Sequence, residues 1–449
     1  MRKRTDVIKP LLTTIVVLLF CLSTVKAQYL WDSDSAFKAG APNSGRLWGY
    51  VFGDFYYKSH ADSLTRGGSN QYTGIPQNRN AFAFRRIYLG YDFNISKKFS
   101  TELLLAAEDN FPAFNPPSST AASGDELSNS KETFFIKLAN IRWKNIWKGT
   151  DLLVGEQTTP SFAMMSEKVW NYRSVERTIS DIRRTPSYDM GAGLQGVFDP
   201  NTKNFGYNLL IATGNSDKPA ANSFKWWYGD VYGFFFNKKL VIDLYADYQR
   251  LGWQPGWHHD RQMLKGFVAY NTQAFTFGIE GFVNNLRGDT KATYINPPGA
   301  YSADTIATKA SGLSLFAHGD IVKNKLRYFA RVDLYNPNKN VDNNTYKAYS
   351  GVSSPSGYMT PGYRMTYSAS TGAPTAATST GDPTAKETFL TLGLDYTPYK
   401  NIHFEPNLWY EHYASQLSST GSLSDKDIVW RMTFFFVFGK SYKNTYNQF

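Results

Sequence analysis

The stretch QMLKGFVAYNTQAFTFGIEGFVNN, residues 262–285, contains two alternating segments that are separated only by Thr272 and Gln273. The second segment has an apolar face and a polar face, formed by Phe275, Phe277, Ile279, Gly281 and Val283 and by Thr276, Glu280 and Asn284 respectively. Side chains alternate between the two faces of a strand, and a two-residue connection closes an antiparallel hairpin. The stretch therefore predicts a β-hairpin with each face in a different solvent.

The same pattern extends along most of the chain, with very short and long connections in alternation. About sixteen alternating segments lie between Arg46 and Phe438. This plan is typical of a transmembrane antiparallel β-barrel of about 16 strands, with short periplasmic turns and long extracellular loops. The predicted strands are 46–57, 82–95, 99–109, 132–144, 150–157, 187–198, 203–213, 226–237, 240–251, 262–271, 274–285, 311–322, 325–335, 387–397, 401–413 and 426–439.

The polar face of the predicted strands carries charges, which are costly in hydrocarbon. We therefore expect this face to look into a water-filled lumen, which a barrel of about sixteen strands is wide enough to enclose. The charged residues predicted to face the lumen are Arg86, Arg327, Arg331, Arg431, Asp243, Asp247 and Glu280.

The amino terminus indicates the compartment. A basic start at Arg2, an apolar run over 11–22 and a small-residue site ending at Ala27 predict a cleaved signal peptide over 1–27. Residues 28–449 would then form a single barrel domain in the cell outer membrane, in contact with its lipid. The only cysteine, Cys21, lies in the predicted signal. Removal of residues 1–27 takes away five Lys/Arg and one Asp, which lowers the net charge from +11 to +7. This modest excess favours a field that acts on anions over nucleic-acid binding, and no cofactor is predicted.

One predicted loop, at about 158–186, differs from the long external loops predicted at about 286–310 and 336–386. It contains apolar residues such as Phe162, Trp170 and Ile179, which are unsuited to a solvated loop. We expect it to fold into the barrel and to form a constriction. Its cations, Lys168, Arg173, Arg177, Arg183 and Arg184, would favour anions. In the alternative, they pair with wall carboxylates such as Glu102, Glu108 or Asp92.

Two stretches of the chain have a recognisable order of residues. They are FRRIYLG at 84–90 and, further on, Val154-Gly155-Glu156-Gln157, Pro160, Phe162, Glu176-Arg177, Arg184, Gly191 and Gln195-Gly196. In these stretches the chain resembles the phosphate-selective porin O and P family of outer-membrane porins. The resemblance implies a sixteen-stranded, trimeric, passive channel that prefers anions. Gln157-Thr158-Thr159 departs from the family, which often has a basic residue shortly before the proline. The mixed charge of the predicted lumen also favours a weakly selective pore over phosphate selection.

Catalysis is not predicted. Ser314, His318 and Asp320 are residue types of a serine hydrolase triad, but positions two apart on a strand are separated by roughly 7 Å. His258, His259 and Asp260 lie in a predicted loop and are better explained as exposed residues than as metal ligands.

The carboxyl end completes the plan. A final apolar stripe runs from Ile428 to Phe438, and the chain finishes at Phe449, a terminal aromatic of the kind favoured by the barrel-assembly machinery. The sequence thus predicts a porin for passive diffusion of small anionic or neutral hydrophilic solutes. The alternatives are a channel specific for phosphate or sugar, and a surface binding protein or adhesin that displays the long loops.

Overall fold

A computed structural model describes fourteen parts of the chain. They are residues 40–63, 66–67, 70–108, 134–183, 186–215, 223–254, 257–272, 274–295, 301–340, 362–367, 374–381, 385–414, 416 and 424–439. The predicted signal peptide, Arg184 and the terminal Phe449 lie outside these residues. None of the helices found in them has the length and apolar character needed to cross a bilayer.

The described chain is almost entirely β-structure. The strands are β1 Ser44–His60, β2 Asn80–Asn94, β3 Phe99–Glu108, β4 Phe135–Trp147, β5 Thr150–Thr158, β6 Tyr188–Val197, β7 Phe205–Ala212, β8 Trp226–Phe235, β9 Leu240–Gln254, β10 Trp257–Asn271, β11 Phe275–Ile295, β12 Tyr301–Val322, β13 Leu326–Asn336, β14 Gly362–Tyr367, β15 Pro374–Gly381, β16 Lys386–Tyr399, β17 Ile402–Ala414 and β18 Lys426–Phe438. Two short helices, α1 Ser166–Trp170 and α2 Ile179–Ile182, lie between β5 and β6.

Sixteen strands form one closed antiparallel barrel, and β14 and β15 pair separately as a hairpin. Each barrel strand pairs with its neighbours in the chain, except that β13 pairs with β16 across the hairpin. The first and last strands close the ring, with pairs that run from Gly49 and Phe438 to His60 and Ile428. The predicted fold class is therefore confirmed.

All sixteen predicted strands overlap a barrel strand, and the largest differences lie in β9–β12. β11 continues to Ile295 and β12 begins at Tyr301, so the predicted boundaries of a loop at 286–310 are wrong. The Ser, Thr and Asn content that suggested a loop there is compatible with strands, because neighbouring strands supply the backbone hydrogen bonds. The predicted loop at 336–386 contains the hairpin of β14 and β15.

The two faces of the barrel differ as the alternation predicts. Apolar side chains such as Leu244 and Leu264 are 57% and 60% exposed on one face, whereas the polar face is buried. Register shifts interrupt the alternation at several points, and two of them lie between Phe52 and Gly53 and between Leu104 and Leu105. A bulge of this kind places two consecutive side chains on one side. Arg85 and Arg86 are both buried beside the first shift, and Lys137 and Leu138 beside the second.

Candidate constriction site

Residues 159–187, here called the inner segment, connect β5 to β6 and contact strands from most of the barrel circumference. Ser180 hydrogen-bonds to Glu280 on β11, and the Tyr172 hydroxyl donates to Asp395 on β16 over 3.3 Å. The guanidinium of Arg85 on β2 donates to the Ser174 carbonyl. A segment that reaches strands so far apart around a closed ring lies inside it.

An apolar cluster holds the inner segment against one half of the wall. Its core residues from the segment are Met165, Val169, Trp170, Tyr172 and Val175, packed on Phe234, Val241, Phe267, Ala269, Phe316 and Phe329 of β8–β10, β12 and β13. Trp170 is fully buried, with its ring centroid 5.2 Å from that of Phe316, and its indole N–H donates to the Glu176 carbonyl over 2.9 Å. Ile179 joins a second buried cluster. This apolar content explains why the segment packs inside instead of extending into solvent.

Polar contacts fix the same half of the segment. The His318 ring nitrogen Nε2 lies 2.9 Å from the Val169 carbonyl, and Arg331 donates to the Arg177 carbonyl. The Trp409 indole donates to a Glu176 carboxylate oxygen over 2.9 Å, and Arg183 forms a buried ion pair with Glu387. These wall groups satisfy backbone carbonyls and side chains that would otherwise be buried without partners, which would be costly.

The other side of the inner segment carries a charged group of Glu167, Arg173, Arg177 and Asp181. The guanidinium of Arg173 pairs with Glu167 and lies 2.8 Å from an Asp181 carboxylate oxygen. Arg177 lies 3.8 Å from a Glu176 oxygen and 4.0 Å from an Asp181 oxygen. These four side chains are between 10% and 19% exposed, so they are partly open to solvent.

The pKa values of this group follow from burial and from the neighbouring charges. Burial raises the pKa of Glu167, as does Asp181, against the opposing effect of Arg173. Burial acts to lower the pKa of Arg173, but Glu167 and Asp181 raise it well above its ordinary value. Burial would raise the pKa of Asp181, but Arg173 and Arg177 lower it overall. Glu167 is therefore the acid of this group that protonates most readily.

A second charged group lies on the wall opposite, on β2–β4. Glu108 pairs with Arg86 over 2.8 Å and with Lys137, and it accepts a hydrogen bond from the Tyr88 hydroxyl over 2.6 Å. Arg86, Glu108 and Lys137 are between 8% and 10% exposed. The charges of Glu108 and Arg173 act on each other, so the two groups lie close together. We call the two groups together the constriction.

A cavity of about 840 Å³ extends from the short turns to the inner segment. At the turn end it is lined by Asn145, Pro200 and Lys203, and at the inner end by Met164 and Lys168. Charges along its wall include Glu102, Arg142 and Asp151, the last two paired over 3.0 Å. The inner segment therefore does not fill the barrel at this end, where polar groups line an open space.

The predicted constriction cations have different surroundings. Lys168 is exposed and lines the cavity, whereas Arg173 and Arg177 lie beside acids of the segment itself. Arg183 is buried with Glu387 on the wall, and its guanidinium lies 4.5 Å from the Tyr335 ring centroid. Of the wall carboxylates proposed as alternative partners, Asp92 pairs with Arg46, and Glu108 pairs with Arg86 and Lys137.

The charged residues predicted to face the lumen share the face opposite the exposed apolar stripe. Arg86, Arg331, Arg431, Asp243, Asp247 and Glu280 are buried and Arg327 is partly buried. Most have a partner on the wall. Arg327 pairs with Asp320 over 3.1 Å, Arg331 with Asp333, Asp243 with Lys265 over 3.1 Å, and Asp247 accepts from the Tyr245 hydroxyl over 2.6 Å; Arg431 donates to Asn407 over 2.6 Å.

Sequence reasoning named Glu108 as a wall carboxylate but did not select Lys137 or Arg85. Strict alternation from Asn140 and Arg142 would place Lys137 on the outer face, and alternation from Arg86 would do the same for Arg85. The two register shifts reverse these assignments. A period-two pattern indicates a bulge only where the apolar positions change from even to odd numbers, as they do between Phe84 and Ile87.

The residues that were considered as a hydrolase triad have a structural role instead. Ser314 and His318 are buried on the inner face of β12 with Phe316 between them. The two ring nitrogens of His318 lie near the Val169 carbonyl and, at 3.2 Å, near the Arg327 guanidinium. His318 thus contributes to docking of the inner segment. His258 and His259 lie on β10 instead of in the predicted loop.

Comparison with known proteins places the fold among outer-membrane channels. The structure is similar to that of the outer membrane channel DcaP of Acinetobacter baumannii, with a TM-score of 0.56 and 10% identity over 88% of this chain and 98% of that chain. It is also similar to OmpT of Vibrio cholerae, an outer-membrane protein, with a TM-score of 0.51 and 9% identity over 88% and 98% of the two chains. No protein-family model and no curated protein sequence matches the chain. The chain therefore has the sixteen-stranded barrel fold of these proteins.

Proposed function

We propose that this protein is a passive outer-membrane porin through which small hydrophilic solutes diffuse, with a mild preference for anions. The observation that carries the proposal is a closed sixteen-stranded barrel whose inner segment packs on one half of the wall and leaves a polar cavity beside the other. A hollow barrel with an internal constriction is the arrangement of a diffusion channel.

The charges at the constriction support the anion preference. The side chains of the two charged groups comprise four cations and three acids, namely Arg86, Lys137, Arg173 and Arg177 against Glu108, Glu167 and Asp181. Lys168 adds a further cation at the inner end of the cavity. A unit charge about 5 Å from an ion in water contributes about 0.8 kcal/mol, which salt reduces further. The preference is therefore mild.

The proposal extends to location and assembly. The predicted signal peptide over 1–27 would direct export, and the barrel-assembly machinery would insert the barrel into the outer-membrane lipid. The exposed apolar band, which includes Leu244 and Leu264, suits contact with hydrocarbon or with further copies of the chain. The resemblance to the phosphate-selective porins implies a homotrimer.

Single-channel recording in planar bilayers tests the function. The purified full chain should give discrete conductance steps in potassium chloride and a reversal potential displaced toward that of chloride in a salt gradient. A correctly folded barrel that gives no conductance would exclude the porin and favour a binding protein or adhesin. Concentration-dependent block by phosphate or by an oligosaccharide would instead favour a substrate-specific channel.

A further inference from the structure

Three potential metal ligands meet inside the barrel, on neighbouring strands of the wall. Asp395 on β16 and His403 and Glu405 on β17 are 4%, 7% and 1% exposed. Each offers a ligand atom, and these atoms all lie within 4.8 Å of one another. His403 Nδ1 lies 2.9 Å from an Asp395 oxygen. Side chains so arranged need only small movements to surround one ion.

The charge balance at this cluster is unfavourable without a cation. Within the described residues, Asp395 pairs only with His403, and Glu405 has no ion-pair partner. The charges that act on Glu405 are mainly those of Asp395, Arg85 and Asp54, and the Arg85 guanidinium is itself paired with Asp54. Two buried carboxylates beside one imidazole are costly when both are ionised, whereas a bound metal ion would compensate both charges.

A hydrogen-bonding deficit provides independent support. One carboxylate oxygen of Glu405 accepts from the Ser174 hydroxyl over 3.0 Å. The other, Oε2, is buried and has no hydrogen-bond partner in the part of the chain that the structure describes. A buried acceptor left in this state costs free energy. A cation coordinated by this oxygen would remove that cost.

The geometry points to a divalent transition-metal site formed by Asp395, His403 and Glu405, with Zn²⁺ as the ion that suits one imidazole and two carboxylates. Three protein ligands leave a fourth position in the tetrahedral geometry of zinc. Tyr172 and Ser174 of the inner segment already contact Asp395 and Glu405. The bound ion would therefore stabilise the wall at the point where the inner segment docks.

Metal analysis of the full chain in detergent tests this assignment. After incubation with Zn²⁺ and removal of free metal, wild type should retain about one equivalent, and Co²⁺ should give a visible absorption band that Zn²⁺ displaces. Glu405→Gln removes a ligand and a buried charge, so it should fold and bind Zn²⁺ at least tenfold more weakly. The matched control is His412→Ala on the same strand, because His412 pairs with Asp425 over 3.3 Å at 36% and 41% exposure.

Three results would overturn the assignment: no retained Zn²⁺ in folded wild type, unchanged binding in Glu405→Gln, or loss of binding in His412→Ala. The last result would place the ion on the exposed pair. None of these measurements depends on conductance, so the metal site and the porin function stand or fall separately.

Discussion

Trp170 is the largest fully buried side chain of the inner segment, and Trp170→Ala should release the segment from the wall. The side chain is fully buried against Phe316, Tyr172 and Phe329, and it donates to the Glu176 carbonyl. Truncation of a buried tryptophan to alanine costs about 3–5 kcal/mol. The barrel itself is held by its strand ladders, so this loss acts mainly on the segment.

The size of the effect follows from that free energy. A loss of about 4 kcal/mol lowers the ratio of docked to released segment by nearly a thousandfold, since each 1.4 kcal/mol is a factor of ten. We expect a higher single-channel conductance than in wild type, with stepwise fluctuations as the segment moves in the lumen. Single-channel recording would measure both.

A control separates this effect from the loss of any tryptophan. Trp143 is 44% exposed on the outer face of β4, so Trp143→Ala should leave the conductance unchanged. Circular dichroism should show the same β-content in both variants. If Trp170→Ala is folded and conducts as wild type does, the segment is not held by this cluster, and the assignment of the constriction is wrong.

Three further predictions concern the charges. Arg173→Ala should lower the ratio of anion to cation permeability by up to roughly 16-fold, because about 0.8 kcal/mol changes the occupancy of each ion by a factor of about 4 in opposite directions, and salt reduces this effect. In Arg173→Ala/Glu167→Gln the reversal potential should return toward wild type. An unchanged potential in the single variant would remove Arg173 from selectivity. Burial raises the pKa of Glu167, so as the pH falls Glu167 should take up a proton above the ordinary value of about 4.3. Loss of this negative charge strengthens the anion preference, and stability increases because the folded state binds the proton more tightly than the unfolded state does. A reversal-potential titration in which Glu167→Gln still shows the change near this pH would refute the assignment to Glu167. Arg183→Ala leaves Glu387 buried without its cation, at a cost of about 3–5 kcal/mol, so urea unfolding and conductance should both change. Arg142→Ala breaks a pair that is about 30% exposed and should cost under about 1 kcal/mol. Equal effects of the two variants would contradict the role of Arg183 in anchoring the inner segment.

The strands were predictable because their signal is local. In 275–283 the apolar positions repeat every second residue, and the structure exposes Phe275, Phe277 and Ile279 on one face while it buries Glu280. The apolar content of the inner segment was equally visible, at Trp170 and Ile179. Loop composition was a weaker guide, since β11 and β12 continue through 286–295 and 301–310 despite their polar sequence.

The sequence by itself determined the number of barrel strands, their antiparallel order and the face that side chains away from the bulges occupy, because these depend on a period of two and on the length of each connection. The tertiary structure decided which charges meet. Ser174 and Glu405, or Arg183 and Glu387, are more than 200 positions apart, and their contact depends on closure of the ring and on the wall that the inner segment packs against. The register shifts that turn Arg85 and Lys137 inward are also not indicated by the charges of the neighbouring residues. The partners of the arginines follow from packing across the barrel, which no pattern along a single strand encodes.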